Sequence, residues 1–157
     1  MRTDPAVRTR NPQSTAQIAG HPLHPMLIPF PVAFLVATFV SDVIFWSTGN
    51  AAWATASLWL LGAALLMAAL AALAGLVDFF GDERIRDLSA AWHHMLGNVL
   101  AVLLSLVNWY RRYAATDPGI PSGGVVLSLV VVLILLYTGW RGWEMVYKHR
   151  VAVSDQP

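Results

Sequence analysis

Residues 53–78 read WATASLWLLGAALLMAALAALAGLVD, and twenty-five residues pass before the first charged side chain, Asp78. An α-helix rises about 1.5 Å per residue, so about 20 apolar residues cross a hydrocarbon core of about 30 Å. This stretch is long enough and apolar enough to be a membrane span. Three others match it, at about 26–47 (MLIPFPVAFLVATFVSDVIFWS), 91–110 (AWHHMLGNVLAVLLSLVNWY) and 124–147 (GVVLSLVVVLILLYTGWRGWEMVY). The connections STGNAA, FFGDERIRDLSA and RRYAATDPGIPSGG are short, which favours antiparallel neighbours. The expected fold is all-α, a four-helix transmembrane bundle running up-down-up-down.

Composition agrees. The 157 residues are 57% hydrophobic and only 12% charged, about half the charge of a soluble domain. Mean hydropathy is +0.56. A net charge of +1 leaves no basic stripe for nucleic acid. There is no cysteine, which removes disulfides, thiolate chemistry and c-type haem attachment, so any metal must sit on histidine, methionine or carboxylate. Residues 1–20 lack the apolar core of a signal peptide and read as a disordered polar tail. The membrane domain then covers 21–150, and 151–157 form a short C-terminal tail.

Four spans put both termini on one side, side A, together with the 79–90 connection. Side A carries Arg2, Arg8, Arg10, Arg84, Arg86, Arg141, Lys148 and Arg150, whereas side B carries Arg111 and Arg112. The positive-inside rule makes side A, and with it both termini, cytoplasmic. Trp46, Trp53, Trp109, Tyr110 and Tyr113 mark the side B interface, while Trp92, Trp140, Trp143 and Tyr147 mark side A. The second span carries Ala64, Ala68 and Ala72 at four-residue spacing, a stripe suited to close helix packing in lipid. No internal repeat is evident in the residue pattern.

Threading the chain this way brings all five histidines to side A, close to helix ends. His21 and His24 precede the first span, His93 and His94 open the third, and His149 closes the fourth. His93 and His94 lie about 100° apart on a helix, so a single site uses one of them. His93 shares a face with Gly97 and Ala101; His94 shares a more polar one with Asn98 and Ser105. In HPLHPM, residues 21–26, each proline pushes the preceding histidine toward extended backbone. His24 is therefore expected just outside a helix that begins at Pro25, with irregular turns near Pro31.

Ionisable groups inside a membrane are functional suspects by default. Asp42 lies within the first span toward side B, with Arg111 or Arg112 as a partner, or with a proton or quinone role. Asp78 and Glu144 approach side A, where either would orient a ligating histidine through its second ring nitrogen. Arg141 would pair with an acid or hold a haem propionate.

HPLHPMLIPFP, AGLVDF, RIRDLSAAWHHMLGN, NWYRR and GWRGWEMVYKHRVAV together resemble the bacterial membrane-protein family catalogued as domain of unknown function 2231. The resemblance covers nearly everything from His21 to Val153. It implies a four-helix inner-membrane protein, and it places the family's shared positions at His21, His24, His94, Asn98, Glu144 and His149. His93 falls outside that pattern, which favours His94 as the ligand. Trp143 stands where the family commonly has glycine.

The leading expectation is a small haem b protein of the electron-carrier kind, possessing a redox partner protein or the quinone pool. His94 with His24 or His149 would be the axial ligands, and Arg141 and Lys148 would lie near the propionates. A second expectation is a copper site built from His21, His24, His93, His94 and His149 with nearby methionines. A third is an accessory subunit of a larger respiratory or photosynthetic complex or a homo-oligomer. No nucleophile–base pair or phosphate loop is visible, so electron transfer or an accessory role is favoured over a self-contained enzyme.

Overall fold

A computed structural model describes residues 11–115 and 119–154. The first ten residues of the N-terminal tail and the last three of the C-terminal tail lie outside the described residues. Among the described residues the architecture is helical, with one two-residue strand pairing near the N-terminal end. β1 (Gln17–Ile18) pairs antiparallel with β2 (His21–Pro22). The link between them, Ala19 and Gly20, has positive φ at both residues (49° and 80°), as tight two-residue hairpins require. The main helices are α1 (Leu23–Leu27), α2 (Pro29–Thr48), α3 (Ala51–Gly81), α5 (Ser89–Tyr113) and α6 (Gly124–Tyr147), with α4 (Glu83–Arg86) a single turn between α3 and α5. Four stretches are long and apolar enough to cross a membrane: Leu23–Thr48, Ala51–Gly81, Ser89–Tyr113 and Gly124–Tyr147.

The start of the first span corrects one expectation. His24 is the second residue of α1, not the extended residue before it, because Pro22 serves as the N-cap and Pro25 falls in the first turn. A proline there removes an N–H that has no intrahelical acceptor, so the helix tolerates it. The joint comes three residues later than that turn, at Ile28, where Pro29 and Pro31 lack N–H groups. Ile28 keeps helical angles (φ −52°, ψ −40°), and bonds from Ile28 N to His24 O and from Val32 N to Ile28 O carry α1 into α2.

Gly49, in the left-handed conformation at φ 67°, ends α2 by donating its N–H to Phe45 O at 2.8 Å. Asn50 then caps α3, its side chain accepting from Ala52 N at 3.0 Å. This two-residue link sets α2, and α1 beyond it, against α3, with contacts from Asp42–Ser57 beside the link to His24–Ala71 far from it. α5 and α6 form the second closely packed pair, and packing between the two pairs is less extensive.

All four long helices meet at Leu35, Leu61, Ala64, Ala101 and Val131. Outward positions stay apolar and exposed, Leu66, Leu73, Leu103 and Leu133 among them, as a lipid-facing surface needs. A second cluster, Phe79, Ile85 and Ala91 with Met95, Met145 and Val151, closes one end.

Residues 11–20, part of the tail expected from composition, are bonded onto that end. Asp78 Oδ1 accepts from Thr15 N and Ala16 N, both at 2.7 Å, and from Ser14 Oγ at 2.8 Å. Gly81 lets the segment lie flat, since a Cβ there would collide with the Thr15 side chain. Ala152 N donates to Pro12 O, and Asn11 Nδ2 to Val153 O, tying both described ends of the chain together.

Candidate functional site

α1 carries His24 over the middle of α3, where Nδ1 lies 2.7 Å from Ala71 O. In a helix the carbonyl of residue 71 points toward the N–H of residue 75, so a ring that reaches it must lie over residue 75. Residue 75 is glycine. A Cβ there would stand 2.8 Å from His24 Cε1 and 2.9 Å from its Nδ1.

The same construction recurs in the second helix pair. His94 on α5 reaches Thr138 O on α6 at 2.8 Å, and residue 142, four positions on, is again glycine. A Cβ at Gly142 would stand 3.2 Å from the His94 ring. Behind the ring, Thr138 Oγ1 donates to Asn98 Oδ1 at 3.2 Å, and Asn98 Nδ2 donates to His94 O at 2.7 Å. Asn98 thus braces the backbone that carries His94 and the residue that holds it.

A carbonyl only accepts, so in both imidazoles Nδ1 carries the proton and Nε2 keeps its lone pair. The two rings face each other across the seam between the helix pairs, with centroids 6.1 Å apart and planes at 86°. Ala71 lies ten residues before the end of α3, and Thr138 nine before the end of α6. On their own helices His24 and His94 stay near the start, one residue into α1 and five into α5, so they meet carbonyls about 13–15 Å from the ends of the longer partner helices.

The other histidines and cations are occupied elsewhere. His93 is exposed, and its Nδ1 accepts from Arg141 Nη2 at 3.2 Å. Arg141 also pairs with Glu144 at 2.6 Å, and Lys148 pairs with the same carboxylate at 2.7 Å. His21 is an exposed residue of β2; His149 is exposed beyond α6, its backbone N–H on Glu144 O. Asp78 holds the N-terminal segment and Glu144 the two cations, so neither carboxylate orients His24 or His94. Among the described residues, no group of three or more His, Cys, Asp or Glu side chains converges as a bare metal would require.

A second polar cluster occupies the opposite end of the seam. Arg112 Nη1 and Nη2 grip Asp42 Oδ1 and Oδ2, each at 2.7 Å, with side chains 3% and 0% exposed. Ser57 and Ser128 donate to opposite oxygens of Asp42, and each also accepts from Arg112. Asn108 Oδ1 takes Arg112 Nε at 3.1 Å. Every polar group of the pair has a partner, the condition for keeping an ion pair in an apolar interior. His94, Asn98, Ser105, Asn108 and Arg112 form one stripe along α5, but Ala101 interrupts it inside the apolar cluster of Leu35, Leu61, Ala64 and Val131. No hydrogen-bond chain therefore joins the two polar ends.

A family described as "Predicted membrane protein (DUF2231)" matches residues 20–155. The chain belongs to this family. No curated protein and no solved structure matches it. The DUF2231 match begins just before His21 and takes in both histidine cradles and the Asp42–Arg112 cluster.

Two features of this DUF2231 chain escaped sequence reasoning. The glycines at 75 and 142 carried a signal, each standing four residues after a carbonyl that receives a histidine, but the pairing appears only once the helices are docked. Ser57 and Ser128 carry no distinguishing signal in the sequence, and their role appears only where Asp42 and Arg112 meet between them.

Proposed function

We propose that this DUF2231 protein is a multi-pass inner-membrane haem b protein of the electron-carrier type, with His24 Nε2 and His94 Nε2 as the axial ligands. One observation carries the reading: two imidazoles, each fixed through Nδ1 to a helix carbonyl, meet across the seam with ring centroids 6.1 Å apart. Haem supplies an iron whose in-plane positions are already filled, so two histidines complete it. The donor set suits that group better than a bare divalent ion. Zinc takes four protein ligands or keeps water in place of one, and two neutral imidazoles would leave its double charge uncompensated inside the membrane. A porphyrin dianion cancels the charge of ferrous iron at its centre. A flat macrocycle would need the two helix pairs to part at the seam, where they pack less extensively than within each pair.

The spans run up-down-up-down in this reading, with both termini cytoplasmic. Support comes from the tie between Ala152 and Pro12 and from the charge bias of the connections. Arg112 is bound to Asp42 inside the bundle, which leaves Arg111 to mark side B. Asp42 enters no quinone or proton step, because both its oxygens are taken by Arg112, Ser57 and Ser128. Arg141 and Lys148, both held by Glu144 at the membrane edge, lie within reach of propionates only if Glu144 releases them.

The test is the haem content of purified single variants. His24→Ala and His94→Ala each lose bound haem, while His93→Ala and His149→Ala retain it. Equal haem in all four, or copper without iron in the unaltered protein, overturns the assignment.

A further inference from the structure

We propose that the chain is two equivalent two-span units fused in tandem, closing on each other about a two-fold axis along the seam, and that Asp42–Arg112 makes the first unit select the second. The first unit is α1–α3 and the second α5–α6. In a two-fold interface a residue on the axis meets its own equivalent, and off the axis i meets j′ while j meets i′. Both signatures are present. His24 and His94 meet, and so do Asp42 and Arg112, each pair being seventy residues apart in the chain. Asp42 touches Ser128, and its equivalent Arg112 touches Ser57. Within each unit, eighteen residues separate the histidine from the charged residue, and the histidine reaches a carbonyl four residues before a glycine.

The equivalence is close in the first helix of each unit and offset in the second. Fourteen residues lie from Ser57 to Ala71, but ten from Ser128 to Thr138, one helical turn fewer in the shorter helix. The units have also diverged where they meet: Thr38 corresponds to Asn108, and Leu35 to Ser105.

The charged position is where divergence has a consequence. Two first units brought together in the same way would bury Asp42 against a second aspartate, and two second units would bury Arg112 against a second arginine. Either arrangement leaves like charges in a membrane interior, the repulsive element that specificity requires. The mixed pair alone is neutral. Ser57 and Ser128 each contact both the acid and the base, so the cradle suits the pair in either orientation. The inference concerns folding of the full chain and stands apart from the cofactor reading.

Charge exchange in the full chain tests it. Asp42→Arg and Arg112→Asp, each alone, lower the folded-to-unfolded ratio by roughly 100-fold or more, as expected for an uncompensated buried charge. The double variant D42R/R112D recovers monodisperse protein in detergent and its thermal transition. The two single variants, differently tagged and expressed together, rescue one another: each first unit then finds a complementary second unit in the other chain, and the tags co-purify in equal amounts. A double variant no better than the singles overturns the complementary pairing. Failure of the singles to rescue one another, while the double variant folds, overturns the separability of the units.

Discussion

His24 and His94 meet across the seam with ring centroids 6.1 Å apart and planes at 86°, each held by a carbonyl of the other long helix in its own pair. The near-perpendicular planes follow from that anchoring, since each ring is fixed by its own helix pair and neither adjusts freely to the other. If these rings ligate one ferric haem, their crossed planes give the highly anisotropic low-spin signal in electron paramagnetic resonance rather than the rhombic signal of parallel imidazoles. A purely rhombic spectrum would contradict the ring geometry even if haem is bound.

The glycine cradles predict an order of effects. Gly75→Ala places a methyl group 2.8 Å from the His24 ring, whereas Gly142→Ala places one 3.2 Å from His94. The first must dislodge the bond to Ala71 O; the second asks for a small adjustment. Overpacking costs of about 1–3 kcal/mol are expected for Gly75→Ala, with less for Gly142→Ala. Thermal unfolding in detergent reads the difference, and a larger loss for Gly142→Ala would refute the comparison.

Asp42 and Arg112 contribute less to stability together than either loses alone. Asp42→Ala strands a buried guanidinium and is expected to cost about 3–5 kcal/mol. The double variant Asp42→Leu with Arg112→Met removes both charges and is expected to cost far less, because Ser128 keeps Gly124 O as an acceptor. Chemical denaturation of the three proteins decides it: additive losses would mean that the pair is not acting as a unit.

Acid is expected to loosen the connection between α3 and α5. Asp82 caps α4 through Arg84 N at 2.9 Å and pairs with the Arg84 guanidinium, whose hydrogen bonding holds the carboxyl below its ordinary value of 3.8. A lowered folded pKa stabilises fully above the unfolded value and loses that contribution as pH falls through the folded one. Amide exchange over residues 82–88 is therefore flat from neutral pH to about pH 5, after correction for intrinsic rates, and protection drops below about pH 4. Asp82→Asn removes this acid step; an unchanged step in that variant assigns it to another group.

The four spans were legible because a run such as 53–78 has no other stable state in water or lipid, and the observed helices differ from those ranges by three residues or fewer at each end. The start of α1 departs from its expectation because Pro25 stands in the first turn, where its missing N–H costs nothing and His24 can stay helical. Choosing Arg112 over Arg111 required the docked bundle, since adjacent residues differ by about 100° around a helix and only one can face inward. Asp78 looked like a partner for histidine, yet its neighbours proved to be backbone N–H groups of Thr15 and Ala16, which composition does not reveal. The relationship between the two halves was hidden for another reason. Asp42 and Arg112 are complementary rather than alike, and Leu35 and Thr38 correspond to Ser105 and Asn108, so only the histidines and serines remain alike where the units touch.

The haem proposal puts one iron between His24 Nε2 and His94 Nε2 at the seam. The most direct measurement is the absorption spectrum of the detergent-purified protein, oxidised and then reduced with dithionite. A haem held by both histidines gives a Soret band that shifts on reduction, with the sharp α and β bands of a six-coordinate low-spin haem b, at one haem per chain and absent from His94→Ala. A purified, folded protein with no Soret band after growth with added haem precursor would contradict it.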